Sequence, residues 1–523
     1  MQKILLIQML AMGDLLLTTP LLAGLKTKYP DAQVHVLANS LYSRIMKPSP
    51  SVDEFIELPL TRLYELANQA EDQAVPGTLA FLAAWIEKIP HDFDLIINPC
   101  FNDMGGALGF LIRSSRLIGA ALTREGYLIF RGDWPACVYT HVHGPSLNPF
   151  HLADAHCLAV GVRPLKPGLY FHLTNEELLS ARQFLSTGGV SPDDRIVALH
   201  VGAGLDYRRW PEEGFIRVGR SLQEEGFRIL LTGSKAELRQ VTRVAQSIGP
   251  KTIVAAGRTD LGMLAGLLEH CQALASNDTG PIHLAAALGV PCVSIFLGKA
   301  QFRATGPYGT GHLVIEAGLD CAPCENPTAC SHLRCREVIT PEDVLAGMKH
   351  VMGEPLHRPA GSRARFRQAF ISNDGWLDWK LITPDPKAGI ISAYRQVWLS
   401  ALDPGPEMKA PAGKLPPPPQ KEPFSQFDLL SSRAVNTARM ILSKLEGNAL
   451  PSELQQDVQK LSQVSEKIKE LGFNEELLKP MATYYVLRLA GLDSTEPIKL
   501  VRDQLNLYLK VQALVRLLAE KLS

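Results

Sequence analysis

Several things are scarce in these 523 residues, and each scarcity removes a class of function. No stretch reaches the roughly 18 consecutive apolar residues that a membrane-spanning helix requires. Neither sign of charge is in excess, since 53 lysines and arginines face 53 aspartates and glutamates. A nucleic-acid binder would need a clear basic surplus to neutralise phosphates, so none is expected as a partner. Nine cysteines are too few to staple a chain of this length as a disulfide scaffold. Met1–Leu10 and Leu15–Leu22 are apolar in the manner of a leader, but Gly13-Asp14 interrupts them and no small-residue cleavage site follows. A buried strand, a tight turn and a helix explain the same letters better, and a cytoplasmic location is expected.

What is present is ordinary for a soluble protein: 46% hydrophobic and 20% charged residues. The length exceeds one hydrophobic core and predicts about three or four domains. Ile4–Met9, Gln33–Ala38 and Asp94–Asn98 read as buried strands, with Leu15–Lys28 an amphipathic helix that Tyr29-Pro30 ends. The alternation restarts with Ile196–His200, Arg228–Thr232, Thr252–Ala256, Ala273–Ser276 and Cys292–Phe296. Strands alternating with helix-length segments imply a parallel sheet covered on both faces. Two such series predict two Rossmann-like domains, at 1–178 and 179–353, followed by a helical extension at 354–403. Asp403–Pro423 holds eight prolines and reads as an exposed linker, placed at 404–424. Beyond it, apolar stripes such as Leu454, Val458, Leu461, Val464, Ile468 and Leu471 predict a helical bundle at 425–523. Ser452 with Gln455 would cap that helix and Gly472 would end it. The bundle offers a surface for a protein partner, and its function is not legible.

The chemistry concentrates in four blocks. The first strand runs into Ala11-Met12-Gly13-Asp14, at the carboxyl end where open α/β sheets place ligands. Asp14 either faces that crevice as a functional carboxylate or merely caps the next helix. His200-Val201-Gly202-Ala203-Gly204 follows another strand and precedes Arg208-Arg209-Trp210-Pro211. The arginines either pair with phosphates or form a solvated face. Leu231-Thr232-Gly233-Ser234 precedes Glu237, which suits the helix dipole or could hold ribose hydroxyls. Asn277-Asp278-Thr279-Gly280-Pro281-Ile282-His283 is a polar turn feeding a helix N-terminus, whose N–H groups can hold a diphosphate. Taken singly, Asp278 also fits an N-cap and His283 a satisfied core histidine. Asn277-Asp278-Thr279 is formally a glycosylation sequon, unused in a cytoplasmic chain.

Together these blocks resemble glycosyltransferase family 9, the heptosyltransferases of lipopolysaccharide core assembly, over about residues 1–350. The resemblance implies a GT-B fold, two Rossmann-like domains around a deep cleft, and an inverting transfer that requires no cofactor for catalysis. It implies that Asp14, beside Gly13, is the general base that deprotonates the acceptor hydroxyl. Gly202, Ala203, Thr259, Asp278, Thr279, Gly280 and His283 fall in the nucleotide-sugar site, with Glu237 the ribose-binding carboxylate. Arg208 stands where the family usually has a lysine, one residue further from the glycine turn.

Cys321, Cys324, Cys330 and Cys335 crowd into fifteen residues with His332 among them. Such thiols can hold a structural zinc or iron, although the intervals are shorter than in common zinc ribbons. The resemblance adds that autotransporter heptosyltransferases bind iron through such a cluster; otherwise these are reduced thiols in a surface loop. The other five cysteines sit in apolar settings and read as small core residues. The expectation is therefore an ADP-heptose donor and a lipopolysaccharide core acceptor met at the inner-membrane surface. Its rivals are a protein acceptor, or a non-catalytic scaffold on a degenerate transferase fold.

Overall fold

The computed structural model describes residues 2–68, 71–143, 147–324, 330–402, 419–447, 451–492 and 496–522. Two sheets organise the chain. The first contains β1 (Lys3–Gln8), β2 (Gln33–Asn39), β3 (Glu54–Leu58), β4 (Leu95–Asn98), β5 (Leu117–Leu122) and β6 (Leu128–Arg131), in the order β3-β2-β1-β4-β5-β6. All neighbours are parallel except the β5–β6 hairpin. The second contains β7 (Ile196–His200), β8 (Arg228–Thr232), β9 (Thr252–Val254), β10 (Leu274–Asn277), β11 (Cys292–Phe296), β12 (Leu313–Ala317), β13 (Ala364–Ile371) and β14 (Leu377–Leu381). Its order is β14-β13-β12-β11-β10-β7-β8-β9. Only β13 and β14 run antiparallel to their neighbours. The central strands are apolar on both sides because helices cover both faces. This is the α/β, GT-B-like arrangement expected, with a helical region at the C-terminal end.

Three features depart from the sequence reading. The helix predicted over Leu15–Lys28 is two helices, Met12–Leu16 and Thr19–Lys28. Thr18 and Thr19 donate their hydroxyls to the carbonyls of Leu15 and Leu16, both at 2.7 Å, and Pro20 restarts the second helix. The stretch 354–403, expected to be helical, instead opens with β13 and β14 and becomes helical only at Ala388–Leu402. Its strand character was masked by Arg367, which is fully buried and paired with Glu316 at 3.1 Å. Gly472 does not end its helix, which spans Pro451–Asn474. It lies against Ala482, where a β-carbon would overlap the neighbouring helix. Most of the proline-rich stretch lies outside the described residues.

The bundle consists of the helices Phe424–Glu446, Pro451–Asn474, Lys479–Ala490 and Pro497–Leu522. It is not held at a distance by the linker: one continuous core runs from the first sheet through Trp134 into Tyr484 and Leu514. Fully buried Asp133 anchors the contact. It accepts from Tyr484 Oη at 2.8 Å and pairs with Arg488 at 2.8 Å and Lys510 at 3.1 Å. A carboxylate can be buried there only because three donors replace its water. Among the described residues no helix is long and apolar enough to cross a membrane.

Candidate active site

The two halves meet at the strand ends where the motifs lie. The short helix after β1, Met12–Leu16, packs against the helix after β10, Gly280–Ala287. The approach is close enough to require glycine at position 13, whereas at Gly280 only the flexible end of Met12 stands in the way. A β-carbon on Gly13 would stand 2.5 Å from the His283 ring, and one on Gly280 would overlap Met12. Two glycines singled out in separate motifs thus touch each other's helix across the cleft.

Asp14 is partly buried at the third position of its helix, where its Oδ2 accepts from the Ala11 amide at 3.2 Å. The capping role is therefore real, and it coexists with a functional position. Burial pushes the carboxyl above its ordinary range, opposed by the Ala11 amide and by the charge of Arg208. Arg208 reaches across to Asp278, Nη1 to Oδ2 at 3.2 Å. The extra residue before Arg208 does not keep it from the cluster. Asp278 is buried and pushed up to about 6, chiefly by burial, with Arg208 lowering it and Asp14 raising it further. Thr305 donates its hydroxyl to Asp278 Oδ1 at 3.5 Å.

His283 is buried, and its Nδ1 has no hydrogen-bond partner among the described residues. Burial holds it down at about 4, so the ring is neutral near pH 7. Thr279 caps the helix Gly280–Ala287 without a side-chain hydrogen bond to it, its hydroxyl lying instead 3.1 Å from Ser276 Oγ. Pro281 has no N–H and Ile282 N donates to the Thr279 carbonyl at 3.1 Å, which leaves the Gly280 N–H and the positive end of the helix for an anion. Asn277, which carried no assigned role, ties the blocks together. Its amide donates to the carbonyls of Val201 (3.0 Å) and Gly202 (2.9 Å), and its Oδ1 accepts from Trp210 N at 2.9 Å. Arg209 donates to the Ala203 carbonyl at 3.0 Å, closing the same turn.

Glu237 lies beside this turn, so close to Gly202 that any side chain there would collide with its carboxylate. Burial would raise Glu237, but the Ser234 amide (2.7 Å) and hydroxyl (2.8 Å) hold it below its ordinary range, aided by His200 and Arg209. Glu237 is therefore an ionised acceptor. Thr259 stands further out, in the loop after β9. That loop meets the Glu237 turn where Gly257 N donates to Gly233 O at 3.0 Å.

Besides Asn277, two more participants lacked an assigned role. Thr305 has no local motif around it. His151, from the first half, donates Nε2–H to the Gly306 carbonyl at 2.8 Å while its Nδ1 accepts from Ala153 N. Burial pushes it down to about 3, so it is a neutral tie between the halves. Its place as a helix N-cap was the available signal.

The four clustered thiols are partly separated, although the Cys335 thiol, raised by burial, is raised further by Cys321 and Cys330 near it. Cys321 is exposed, and Cys324, Cys330 and Cys335 are half-buried. Among the described residues, no three or more His, Cys, Asp or Glu side chains are placed to hold an ion. Cys330 instead lies 3.8 Å from His332 Nδ1, and Cys335 opens a short helix. Residues 325–329 between them lie outside the described residues. The other five cysteines are buried, as expected.

Comparison with known proteins follows the same outline. Residues 153–332 match the family model described as glycosyltransferase family 9 (heptosyltransferase). Lipopolysaccharide heptosyltransferase 3 of Escherichia coli is 26% identical over 299 residues, covering 54% of this chain and 79% of that protein. Lipooligosaccharide heptosyltransferase 2 of Campylobacter jejuni is 21% identical over 65% of this chain and 95% of its own length. A crystal structure of a family 9 glycosyltransferase from Veillonella parvula superposes with a TM-score of 0.54 at 22% identity, covering 67% of this chain and 97% of that one. It supports the fold.

Proposed function

We propose that this chain, a glycosyltransferase whose residues 153–332 form a family 9 domain, transfers a heptose-like sugar from an ADP-sugar to a lipopolysaccharide core saccharide. Residues 1–178 serve the acceptor and 179–353 the nucleotide sugar. The observation that carries the reading is the convergence of Asp14, Arg208, Asp278 and His283 from both halves on one point of the cleft. The curated relatives described above are named as lipopolysaccharide or lipooligosaccharide heptosyltransferases, which supports the choice of substrates.

In this reading Glu237 takes the ribose hydroxyls, and the Gly280 N–H at the start of the helix takes the diphosphate. Asp14 removes the proton of the acceptor hydroxyl as that oxygen forms its bond to the anomeric carbon. The bond from that carbon to the diphosphate oxygen breaks on the opposite face, inverting the configuration. The diphosphate leaves with the bonding pair, stabilised by the helix N-terminus and by Arg208. A carboxyl raised by burial is a stronger base than an exposed aspartate once ionised. No step needs a metal, and the placement of the thiols gives no support to the protein-acceptor rival. The intact carboxylates and histidine argue against a degenerate scaffold. The proposed place of work is the cytoplasm, peripheral to the inner membrane, with the bundle free to bind a protein partner.

The test is a panel of nucleotide sugars. ADP-heptose should raise the melting temperature and support transfer to a core oligosaccharide, since a ligand that binds only the folded state stabilises it. A preference for a uridine or guanosine sugar would refute the donor assignment.

A further inference from the structure

The strand order lays the proposed donor along a row of strand ends. Glu237 and Gly202 mark the nucleoside side over β7 and β8, and the diphosphate helix follows β10. Continuing along the row past β10 come the ends of β11 and β12 and the start of β13. Over them lies a cavity of about 460 Å³. Its near wall is the helix Phe302–Thr305, which is shared with the active site. Thr305 reaches Asp278 on one side, while Phe302 and Arg303 line the cavity on the other. Asn148 of the first half also lines it, so both halves contribute. Its far wall, including Arg365, Asp385 and Lys387, belongs to the stretch beyond the matched family span, a segment the transfer chemistry leaves without a task.

The lining interleaves charges of both signs. Arg303, Arg365 and Lys387 line it together with Glu316, Asp320 and Asp385, Lys387 also pairing with Glu476. Buried Arg367 fixes the acids from behind, pairing with Glu316 at 3.1 Å and Asp385 at 3.7 Å. Arg303 is almost buried, with only 11% of its side chain exposed; its Nη1 lies 3.4 Å from Asp378 and its buried Nε has no partner among the described residues. A simple ion would select walls of one sign, and an acyl chain would select apolar ones. Alternating donors and acceptors beside the Phe302 ring match a ligand whose neighbouring hydroxyls each donate and accept. We infer that this cavity is a subsite for a saccharide unit of the acceptor, held one short helix away from the reacting sugar. The inference rests on the transferase reading. The donor's own sugar is excluded by position, because it must stay beside Asp14 and Asp278, across that helix.

The test uses the full chain, with delipidated inner-core oligosaccharide, ADP and ADP-heptose as probes in calorimetry. The oligosaccharide should bind the ADP-saturated wild type. A double variant, Arg365→Ala with Asp320→Asn, should bind it at least tenfold more weakly, with Lys387→Ala as an independent second variant. ADP affinity should stay within twofold in all three proteins, which also shows that the variants fold. Equal oligosaccharide affinity in wild type and variants, or no binding by the wild type, would overturn the cavity assignment while leaving the donor site intact. A loss of the preference for ADP-heptose over ADP in the variants would assign the cavity to the donor sugar instead and likewise overturn it. Absence of ADP binding by the wild type would remove the transferase reading itself, and this subsite with it.

Discussion

Replacing Asp278 by asparagine should make the folded protein more stable, and only above acid pH. Asp278 is buried, and its carboxyl is raised from 3.8 to about 6. A rise of roughly two pH units corresponds to about 3 kcal/mol between the two protonation states. Because the folded value lies above the unfolded one, the favourable contribution is complete below about pH 4 and lost as pH rises through about 6. Asparagine has the shape of the carboxyl but cannot ionise, so it escapes that loss. Part of the gain is offset because Arg208 loses its counter-charge. With 31% of its side chain exposed, Arg208 can recover water. The net expectation is a gain of about 1–3 kcal/mol near pH 8 and almost none near pH 4. Urea unfolding of both proteins at the two pH values measures it. The same variant should bind ADP-heptose more weakly, because the carboxylate no longer fixes Arg208 and Thr305 beside the diphosphate helix. An identical stability difference at both pH values would refute the reasoning, since it would trace the effect to packing rather than to ionisation.

Asp14→Ala should leave ADP affinity nearly unchanged while transfer falls by about 10²–10⁴-fold; near-normal turnover would leave Asp14 only its bond to the Ala11 amide. The wild-type rate should rise with pH along an acid limb above the ordinary aspartate range, because the proposed base works only when ionised and burial raises it. His283→Ala should weaken ADP-heptose binding by calorimetry without unfolding the protein, and unchanged affinity would place the diphosphate elsewhere. Asp133→Ala should destabilise by about 3 kcal/mol, the lower end for breaking a buried pair, since Arg488 and Lys510 each keep about a fifth of their side chains in solvent; a loss under about 1 kcal/mol would show that the bundle is only loosely attached. Elemental analysis should find the same zinc and iron content in wild type and in Cys321→Ser/Cys324→Ser, and a loss of about one equivalent in the variant would restore the thiols as ligands.

The parts legible in sequence were those whose signal is local. β1, β2, β4, β7, β8, β10 and β11 are short apolar runs bounded by turn residues, and they lie within a residue of where periodicity places them. β3, β5 and β6 carry less of that signal, and β13 carries the opposite one. In Ala-Arg-Phe-Arg-Gln-Ala-Phe-Ile, a buried arginine reads as surface until Glu316 and Asp385 are seen beside it. The site divides in the same way. Glycine turns and the carboxylates beside them announce themselves, because a strand end and a helix start flank each one. Which turn faces which is not local. Nothing near Arg208 indicates Asp278, seventy residues away, and nothing near Gly13 indicates His283. The bland alternative for Asp14 was also true as far as it went, whereas His283 is buried but not satisfied, its Nδ1 lacking a partner among the described residues. One caps a helix and the other is buried, and the cleft uses both facts.

The largest gap between sequence and structure concerns what belongs with what. Read along the chain, residues from 354 onward are appendages to the second half. In space, the helix Ala388–Leu402 crosses back to the first half. Arg395 donates to the Pro149 carbonyl at 3.1 Å, and Leu402 O accepts from Trp134 Nε1 at 3.2 Å. The same helix carries the bundle: Trp398 packs edge-on against Tyr484, 5.2 Å between centroids, and Tyr484 reaches Asp133. First half, crossing helix and bundle are therefore one packed body. The same core continues into the second half, where Ile282, Tyr308, Trp376 and Trp379 belong to it, and polar ties run beside it. Asp154 accepts from Tyr308 Oη at 2.6 Å and from Leu377 N at 2.9 Å, and Arg163 donates to the Asp374 carbonyl at 2.7 Å. Apolar packing resists displacement over a whole surface, whereas a hydrogen bond can be exchanged for one to water at small net cost. Any opening of the cleft to admit a nucleotide sugar would therefore have to part apolar as well as polar contacts. The bundle would move with the acceptor half, to which the sequence does not join it.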